Sequence, residues 1–477
     1  MRIKSKIEVI TRDDMQRVHD ASLRLLKEKG VVFLGEVTRE IFKKNNFKMD
    51  GNIVYFDEEQ VQKALKSCPQ EFKLTAKNDE RSVIVGGEGF VIHPPGGEVQ
   101  IIDSEKGRRE ASMDDFARLQ MLYQACDNID IAGYQPVTTS DVGNKSRGLH
   151  FLHQSFMHSD KPILAPMDLE DTKQKRECLE LYEVAFGKKG YLEDHYVTWH
   201  CVCPNSPLMF TDFACDGIVE FAKWNQPVLL VSAPMSGITG PVKLFGTLVL
   251  HNAETLAGLV LGQLVRPGVP TLPSSSLVYG NLQYASWECA APETSLMTAA
   301  SIQMNREFYN LPARCQSGIT SSKSVNYQAG IETMQGLLFT ALTGAQVYSQ
   351  AVGSMENLIV TSFEKTIIDD EAVGRVRALQ AGIDTSDEAL SVDSIMGVDH
   401  GMDFLTLKET VKHMRDYFTP TVSDWQTYYN WHMDGDTEIV ATAGKKAKEI
   451  WANAPETLLD PQTDKDMRDY IKMIEDR

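Results

Sequence analysis

Between residues 129 and 352 short apolar runs alternate with longer stretches of helical periodicity. The runs are IDIAGYQP, KPILAPMD, YVTWHCVCP, PVLLVSAP, VPTLPSSS, LPARCQSG and AQVYSQAVG, each ending in small, polar or aromatic residues. Between them lie amphipathic or wholly apolar segments: RGLHFLHQSFMH, KRECLELYEVAFG, TDFACDGIVEFAKW, FGTLVLHNAETLAGLVLGQL, PETSLMTAASIQMNREFYN and AGIETMQGLLFTALTG. A repeat of roughly thirty to forty residues is that of successive βα units with parallel strands. Seven repeats are visible, and an eighth closes a barrel. The pattern predicts an α/β fold, a (β/α)8 TIM barrel, with an open doubly wound sheet as the alternative.

The chain ahead of this rhythm is mixed. Asp13 or Asp14 is placed to cap a helix whose apolar positions include Met15, Val18, Leu23 and Leu26. Strand-like pieces follow, NIVYF, EFKLTA, SVIVGG, GFVIH and EVQIID, separated by turn-forming residues. MDDFARLQMLYQAC then resumes a helical period behind Ser112 as cap. We therefore expect an N-terminal α+β region over residues 1–128, packing on the barrel. A TIM-barrel domain with a C-terminal helical extension follows over 129–477. The stretch from Phe245 is apolar on almost every side, with Gly246, Ala253, Gly258 and Gly262 interleaved. Such a helix is expected to be buried all round, by a neighbouring subunit, which predicts a homo-oligomer.

The 477 residues carry a net charge of −18, so nucleic acid and anionic membrane surfaces are disfavoured as partners. The start of the chain shows no apolar signal core, and no window approaches the roughly 18 uninterrupted apolar residues that span a bilayer. Eight scattered cysteines read as reduced thiols, and a cytoplasmic location is expected.

Several stretches invite a chemical reading. SAPMSGITGP is a glycine turn between an apolar run and a helix, the layout of a phosphate loop. Its GxxG spacing, followed by Pro241 and Val242, matches neither GxxxxGK[ST] nor GxGxxG. A loop at the barrel mouth, with Gly237 and Gly240 allowing close backbone approach, is the expectation instead. In DHYVTWHCVC, alternation puts Trp199, Cys201 and Cys203 on one face and His200 on the other. Two cysteines could share a zinc only with ligands from elsewhere. His150, His153 and His158 are expected on a helix surface. In AQVYSQAV, Gln346, Tyr348 and Gln350 share a face, taken to point into the barrel. Aromatic residues gather at the predicted strand ends: Tyr134, Trp199, Tyr279, Tyr284 and Trp287. Converging at one mouth, they would cage a quaternary ammonium ion. No GxSxG or HExxH motif is present.

Longer stretches carry a resemblance: NSPLMF at Asn205, MSGITGPVKLFGTLVLHNAETLAGLVLGQLVRPGVP, APETSL at Ala291, LPARCQSGITSSKSVNYQAGIETM, GSMENLIVTSFEKTIIDDE and FLTLKETVKHMRDYFTP. In this order they resemble the trimethylamine:corrinoid methyltransferase superfamily, in its non-pyrrolysine branch. The resemblance implies a TIM barrel moving a methyl group from a methylated amine to the cobalt of a corrinoid (cobalamin) carried by a separate partner protein, with no bound metal. The trimethylamine enzymes carry pyrrolysine, whose site falls near Val347 to Gln350; only standard residues stand here. That points to quaternary amines, glycine betaine and proline betaine among them. Tyr348, Gln350 and Asn205 are then the expected catalytic residues. Tyr134, Trp199, Tyr279, Gln316, Arg314 and Gly237 are the expected substrate contacts, with Arg314 pairing a substrate carboxylate if its strand face points inward. The alternatives are a zinc-dependent methanol or thiol:corrinoid methyltransferase built on Cys201 and Cys203, and a non-catalytic betaine-binding protein.

Overall fold

The computed structural model describes residues 6–477. Each of the seven apolar runs contains a strand, and an eighth parallel strand comes from GFVIH. In chain order they are β1 (Val91–Ile92), β2 (Ala132–Gly133), β3 (Ile163–Leu164), β4 (His200–Val202), β5 (Val228–Ser232), β6 (Thr271–Ser275), β7 (Arg314–Gln316) and β8 (Val347–Ser349). Six form one parallel sheet in the order β4-β5-β6-β7-β8-β1, and β2 pairs with β3. The amides of Asp130 and Ile131 donate to the Ile92 carbonyl, both at 3.1 Å, bringing β2 beside β1. The Ala165 amide donates to Thr198 Oγ1 at 2.7 Å, bringing β3 beside β4. One strand of the parallel set, β1, thus lies on the N-terminal side of residue 128.

A helix follows every strand: α1 (Met113–Ala125), α2 (Asn144–His158), α3 (Thr172–Phe186), α4 (Asp212–Lys223), α5 (Leu244–Val265), α6 (Pro292–Gln303), α7 (Tyr327–Thr343) and α8 (Phe363–Ala381). Ser112 caps α1 in a reciprocal capping box with Asp115. The first helix of the chain, Arg12–Glu28, is capped by Thr11, and Asp14 completes the box from its third position.

Strand alternation sorts the side chains into two cores. Val91, Ile131, Leu164, Trp199, Leu229, Val231, Leu272 and Val347 pack together inside the sheet. Ile92, Ile163, Val228, Leu230, Cys315 and Tyr348 pack outward among the helices. This reverses the expectation for β8. Val347 points inward, whereas the Tyr348 ring lies outside, 4.7 Å from the ring of Phe90. A strand of three residues has no long alternation to fix its parity, and a one-residue slip exchanges its faces.

The apolar helix α5 is also covered differently from expectation. Its partners are this chain's own helices Arg12–Glu28 and Glu58–Ser67, together with α4 and strands β5 and β6. A Cβ at Gly258 would stand 2.7 Å from Leu230 Cδ2, and one at Gly262 would stand 2.6 Å from Thr271 Oγ1, so glycine sets how closely α5 meets the sheet. By length and composition α5 could cross a membrane, but 78% of its apolar window is buried inside the molecule. The C-terminal helices complete the outer layer: Ile439–Asn453 packs on α8 and α1, and Pro461–Glu475 on α2 and α3. His150 and His153 meet Glu475 at 2.9 Å and Asp464 at 2.7 Å, so the expected helix surface is in fact covered by Pro461–Glu475.

Candidate functional site

At the C-terminal ends of the strands the interior changes from aliphatic to aromatic and polar. His93, one residue beyond β1, is fully buried. Its ring meets Tyr134 edge-on at 5.4 Å and Trp199 at 5.6 Å. Trp199 precedes β4 on its inward face and is completely buried. Tyr134 follows β2 with φ of 60°, a left-handed conformation that turns its ring toward His93. The tyrosine hydroxyl lies beside the Cys201 thiol. His93 Nδ1 faces the Pro94 carbonyl oxygen at 2.9 Å. Its Nε2 and the Trp199 indole N–H are buried without a hydrogen-bond partner. Both are polar atoms aimed into the interior, and such atoms ordinarily find a partner.

Arg314 occupies the inward position of β7. It is 1% exposed, donates to Ser276 Oγ at 3.3 Å, and leaves its Nε unpaired. Among the described residues no carboxylate lies within ion-pair distance of it. In a chain of net charge −18, a buried guanidinium without an acidic partner among the described residues is electrostatically costly. Desolvation, helped by the Arg314 charge, holds the His93 imidazole well below its usual range, so this ring is neutral. Gln316, two residues on and on the same face of β7, lines a small cavity with Cys289, Ser317 and Glu332.

Gln350 follows β8 with φ of 64°. Its carboxamide accepts from the Gly96 amide at 3.0 Å and donates to the Gly96 carbonyl at 3.3 Å. Gly96 is thereby pressed against the Tyr134 ring: a Cβ there would collide with the ring edge and stand 2.8 Å from Met167 Sδ. Gln350 therefore positions the aromatic cluster and has both polar atoms engaged, in contrast to the catalytic contact expected. Tyr348 is removed from the mouth by its outward orientation. Asn205, the third expected catalytic residue, lies exposed in the turn after β4, its backbone paired with Met209. The NSPLMF motif serves that turn: Ser206 Oγ donates to Glu254 at 2.9 Å and the Leu208 amide at 2.8 Å, tying it to α5.

A three-stranded flap stands over the β5 and β6 ends. Met235–Ser236 pairs with Val278–Asn281, which pairs in turn with Ser286–Glu288. Tyr279 sits in its middle strand, opposite Glu288, and is not among the rings that meet at His93. The turn from Met235 to Gly240 is closed by three amides donating to the Met235 carbonyl, and Gly237 takes the positive φ of 84° that it needs. This is the glycine turn of the sequence, used as flap architecture.

Trp199 and Tyr134 thus meet at His93, and Arg314, whose strand face the sequence leaves open, lies inward on β7 with Gln316 after it. His93 and Gly96 were missed. The signal was available in GFVIHPPGG, a strand-like piece ending in histidine, proline and glycine, but it lay outside the visible repeats. Cys201 is on the inward face of β4 and Cys203 follows the strand, exposed, and among the described residues no three His, Cys, Asp or Glu side chains are grouped as a metal site requires.

Comparison with known proteins bears on the family and the fold. A profile of the Trimethylamine methyltransferase (MTTB) family matches residues 1–476. The glycine betaine methyltransferase of Desulfitobacterium hafniense (strain Y51) is 32% identical, over 98% of this chain and 97% of its own. The trimethylamine methyltransferase MttB of Methanosarcina barkeri (strain Fusaro / DSM 804) is 29% identical, over 98% of this chain and 95% of its own. Among solved structures, the Methanosarcina barkeri monomethylamine methyltransferase (MtmB) superposes with a TM-score of 0.56 at 14% identity, covering 94% of this chain and 89% of that one. That likeness bears on the α/β fold. On the strength of the match along its whole length, the chain belongs to the trimethylamine methyltransferase (MTTB) family.

Proposed function

We propose that this methyltransferase takes a methyl group from a quaternary amine of the betaine type and delivers it to a corrinoid carried by a partner protein. The observation that carries the reading is Arg314, a permanent cation buried where its charge acts on His93 and Tyr134, with no carboxylate within ion-pair distance among the described residues. A betaine brings both missing halves. Its carboxylate neutralises the guanidinium through charge-assisted hydrogen bonds. Its quaternary ammonium, which cannot donate hydrogen bonds, rests on the ring faces of Tyr134 and Trp199. Neutral His93 belongs in such a cage, since an imidazolium would repel the ammonium.

The same reading assigns the architecture. The eight strands close into a (β/α)8 barrel, supported by the hydrogen bonds that bring β2 beside β1 and β3 beside β4. The barrel takes its first strand from residues 91–92, and the helices beyond residue 438 pack on its outside as the C-terminal extension. A corrinoid docked at the mouth supplies a reduced cobalt nucleophile. The protein's own part is to hold the N–CH3 bond in line and keep water out. Loss of one methyl group from a quaternary amine leaves a neutral tertiary amine, so no residue has to provide a proton. The mouth fits that demand: its one histidine is neutral and its arginine is an anchor. Family membership and the name of the 32%-identical relative support the substrate class.

The test is absorbance of cob(I)alamin mixed with the protein and one candidate at a time: glycine betaine, proline betaine, carnitine, γ-butyrobetaine, trimethylamine or tetramethylammonium. Conversion to methylcob(III)alamin is expected with a carboxylate-bearing quaternary amine and not with tetramethylammonium. No conversion across the panel, repeated with the cognate corrinoid protein, would overturn the proposal in favour of a betaine-binding protein.

A further inference from the structure

Among the described residues, two large apolar surfaces of this chain are left bare. The first is an arm. From residue 382 to 437 the chain leaves the end of α8 and forms only short helices, Val392–Met396, Lys408–His413 and Tyr428–Met433, none of which buries a residue. Val422 is the sole buried side chain in this stretch. Fifteen large apolar residues there are exposed, Met396 at 82% and Leu405 at 74% among them. Isolated exposed apolar residues are normal, but a continuous run of this size marks an interface. The arm is tied to α8 through an acidic and a basic side chain. The Glu371 carboxylate accepts from the amides of Thr421, Val422 and Ser423 at 2.7, 2.7 and 3.1 Å. Arg375 lies over the rings of Phe418 and Trp425.

The second surface is the outer wall of α7. The added helices cover α5 from one side and α8, α1, α2 and α3 from the other, but none of them packs on α7 to a comparable extent. Tyr327, Ile331, Met334, Leu338 and Leu342 recur at helical spacing and line an open apolar groove along it. Tyr327 is 86% exposed and Ile331 50%.

We infer that these surfaces cover each other between two copies of this chain, the arm of one lying along the α7 wall of the other. Three observations select a second copy as the occupant. The surfaces match in chemistry and belong to neighbouring helices of one molecule, as a self-complementary two-fold contact requires. The area is that of a lasting interface: fifteen large apolar side chains hold on the order of 1,000 Å², against about 800 Å² per partner in a standard stable interface. A partner that must leave after every methyl transfer does not suit so apolar a contact, and the arm begins at the C-terminal end of α8, the barrel face opposite the mouth. Charge permits the pairing. The arm carries eleven Asp and Glu against three Lys and Arg between residues 383 and 437. The only acid on α7, Glu332, is turned onto Thr320 and Ser321 of its own chain. This inference does not depend on the substrate reading.

The experiment is sedimentation of the full chain, of a wall variant (Ile331→Glu with Leu338→Glu) and of an arm variant (Met396→Glu with Leu405→Glu). Circular dichroism and the first thermal transition serve as folding controls. The unmodified chain is expected at twice 53.3 kDa or a higher multiple, and each variant at the monomer mass. Mixing one batch carrying Ile331→Cys with another carrying Leu405→Cys should give a disulfide-linked species under oxidation, which only a contact in trans can produce. A monomeric unmodified chain, an assembly that survives both variants, or the absence of that cross-link in the mixture would overturn the inference.

Discussion

Replacing Arg314 by methionine separates a binding role from a structural one, because the two predict opposite changes. Without ligand, the guanidinium is 1% exposed and has one long hydrogen bond, 3.3 Å to Ser276. A buried charge so poorly compensated is a liability, and exchanging such groups for apolar ones of similar volume is neutral or stabilising by about 1–4 kcal/mol. Arg314→Met should therefore leave the apparent Tm unchanged or higher. With a betaine bound the sign reverses. Truncating one partner of a buried, hydrogen-bonded charge pair costs about 2–5 kcal/mol. At about 1.4 kcal/mol per tenfold, kcat/KM for the betaine should fall roughly 30- to 4,000-fold. Tetramethylammonium, which brings no carboxylate, should stay unconverted by the variant as by the parent chain. The assay is the initial rate of methylcob(III)alamin formation over a range of substrate concentrations, beside a melting curve of the same preparation. A variant that melts clearly lower while keeping its kcat/KM would refute the reasoning and make Arg314 a structural residue.

Four further outcomes follow from the geometry. Gly96→Ala places a methyl group in the edge of the Tyr134 ring, and kcat/KM should drop at least tenfold with the overall fold retained, read by kinetics beside circular dichroism. Tyr348→Phe should leave turnover unchanged, because that ring packs outward on Phe90; a large loss of rate would restore Tyr348 to the site. Burial pushes the Glu98 carboxyl from 4.5 up to about 8. Between those values the folded chain keeps a proton that the unfolded chain has released, so this group's contribution to stability falls as pH rises through the window. Glu98→Gln should melt higher than the parent chain at pH 8, with the two curves converging near pH 4.5. Glu371→Gln removes the charge accepting three arm amides, and hydrogen exchange at Thr421, Val422 and Ser423 should accelerate at least tenfold while exchange in α5 stays unchanged.

What the sequence disclosed depended on how many residues repeated a signal. Seven strands were legible because the apolar runs alternated with six helix-length segments, so each identification was supported by its neighbours. The strand at Val91–Ile92 carried the same local pattern but stood among antiparallel pieces, and only its pairing with Val347 and Tyr348 places it in the parallel set. The buried wall of α5 was legible as well, but not what covers it, since apolarity says that a partner exists and not which one. The candidate site was legible in its residue types, Arg314 among them, whose strand face the sequence left open. It was not legible where orientation decides, as at Tyr348, or where a left-handed residue re-aims a side chain, as at Tyr134 and Gln350. Those two residues end β2 and β8, on either side of β1, and Gly96 is held between them. Gln350 grips its backbone and the Tyr134 ring fills the space a Cβ would take. The loop after β1 is thus the keystone of the mouth, because it delivers His93 to the aromatic cluster and fixes Tyr134 against it. The proposed betaine site therefore rests on that loop as much as on Arg314.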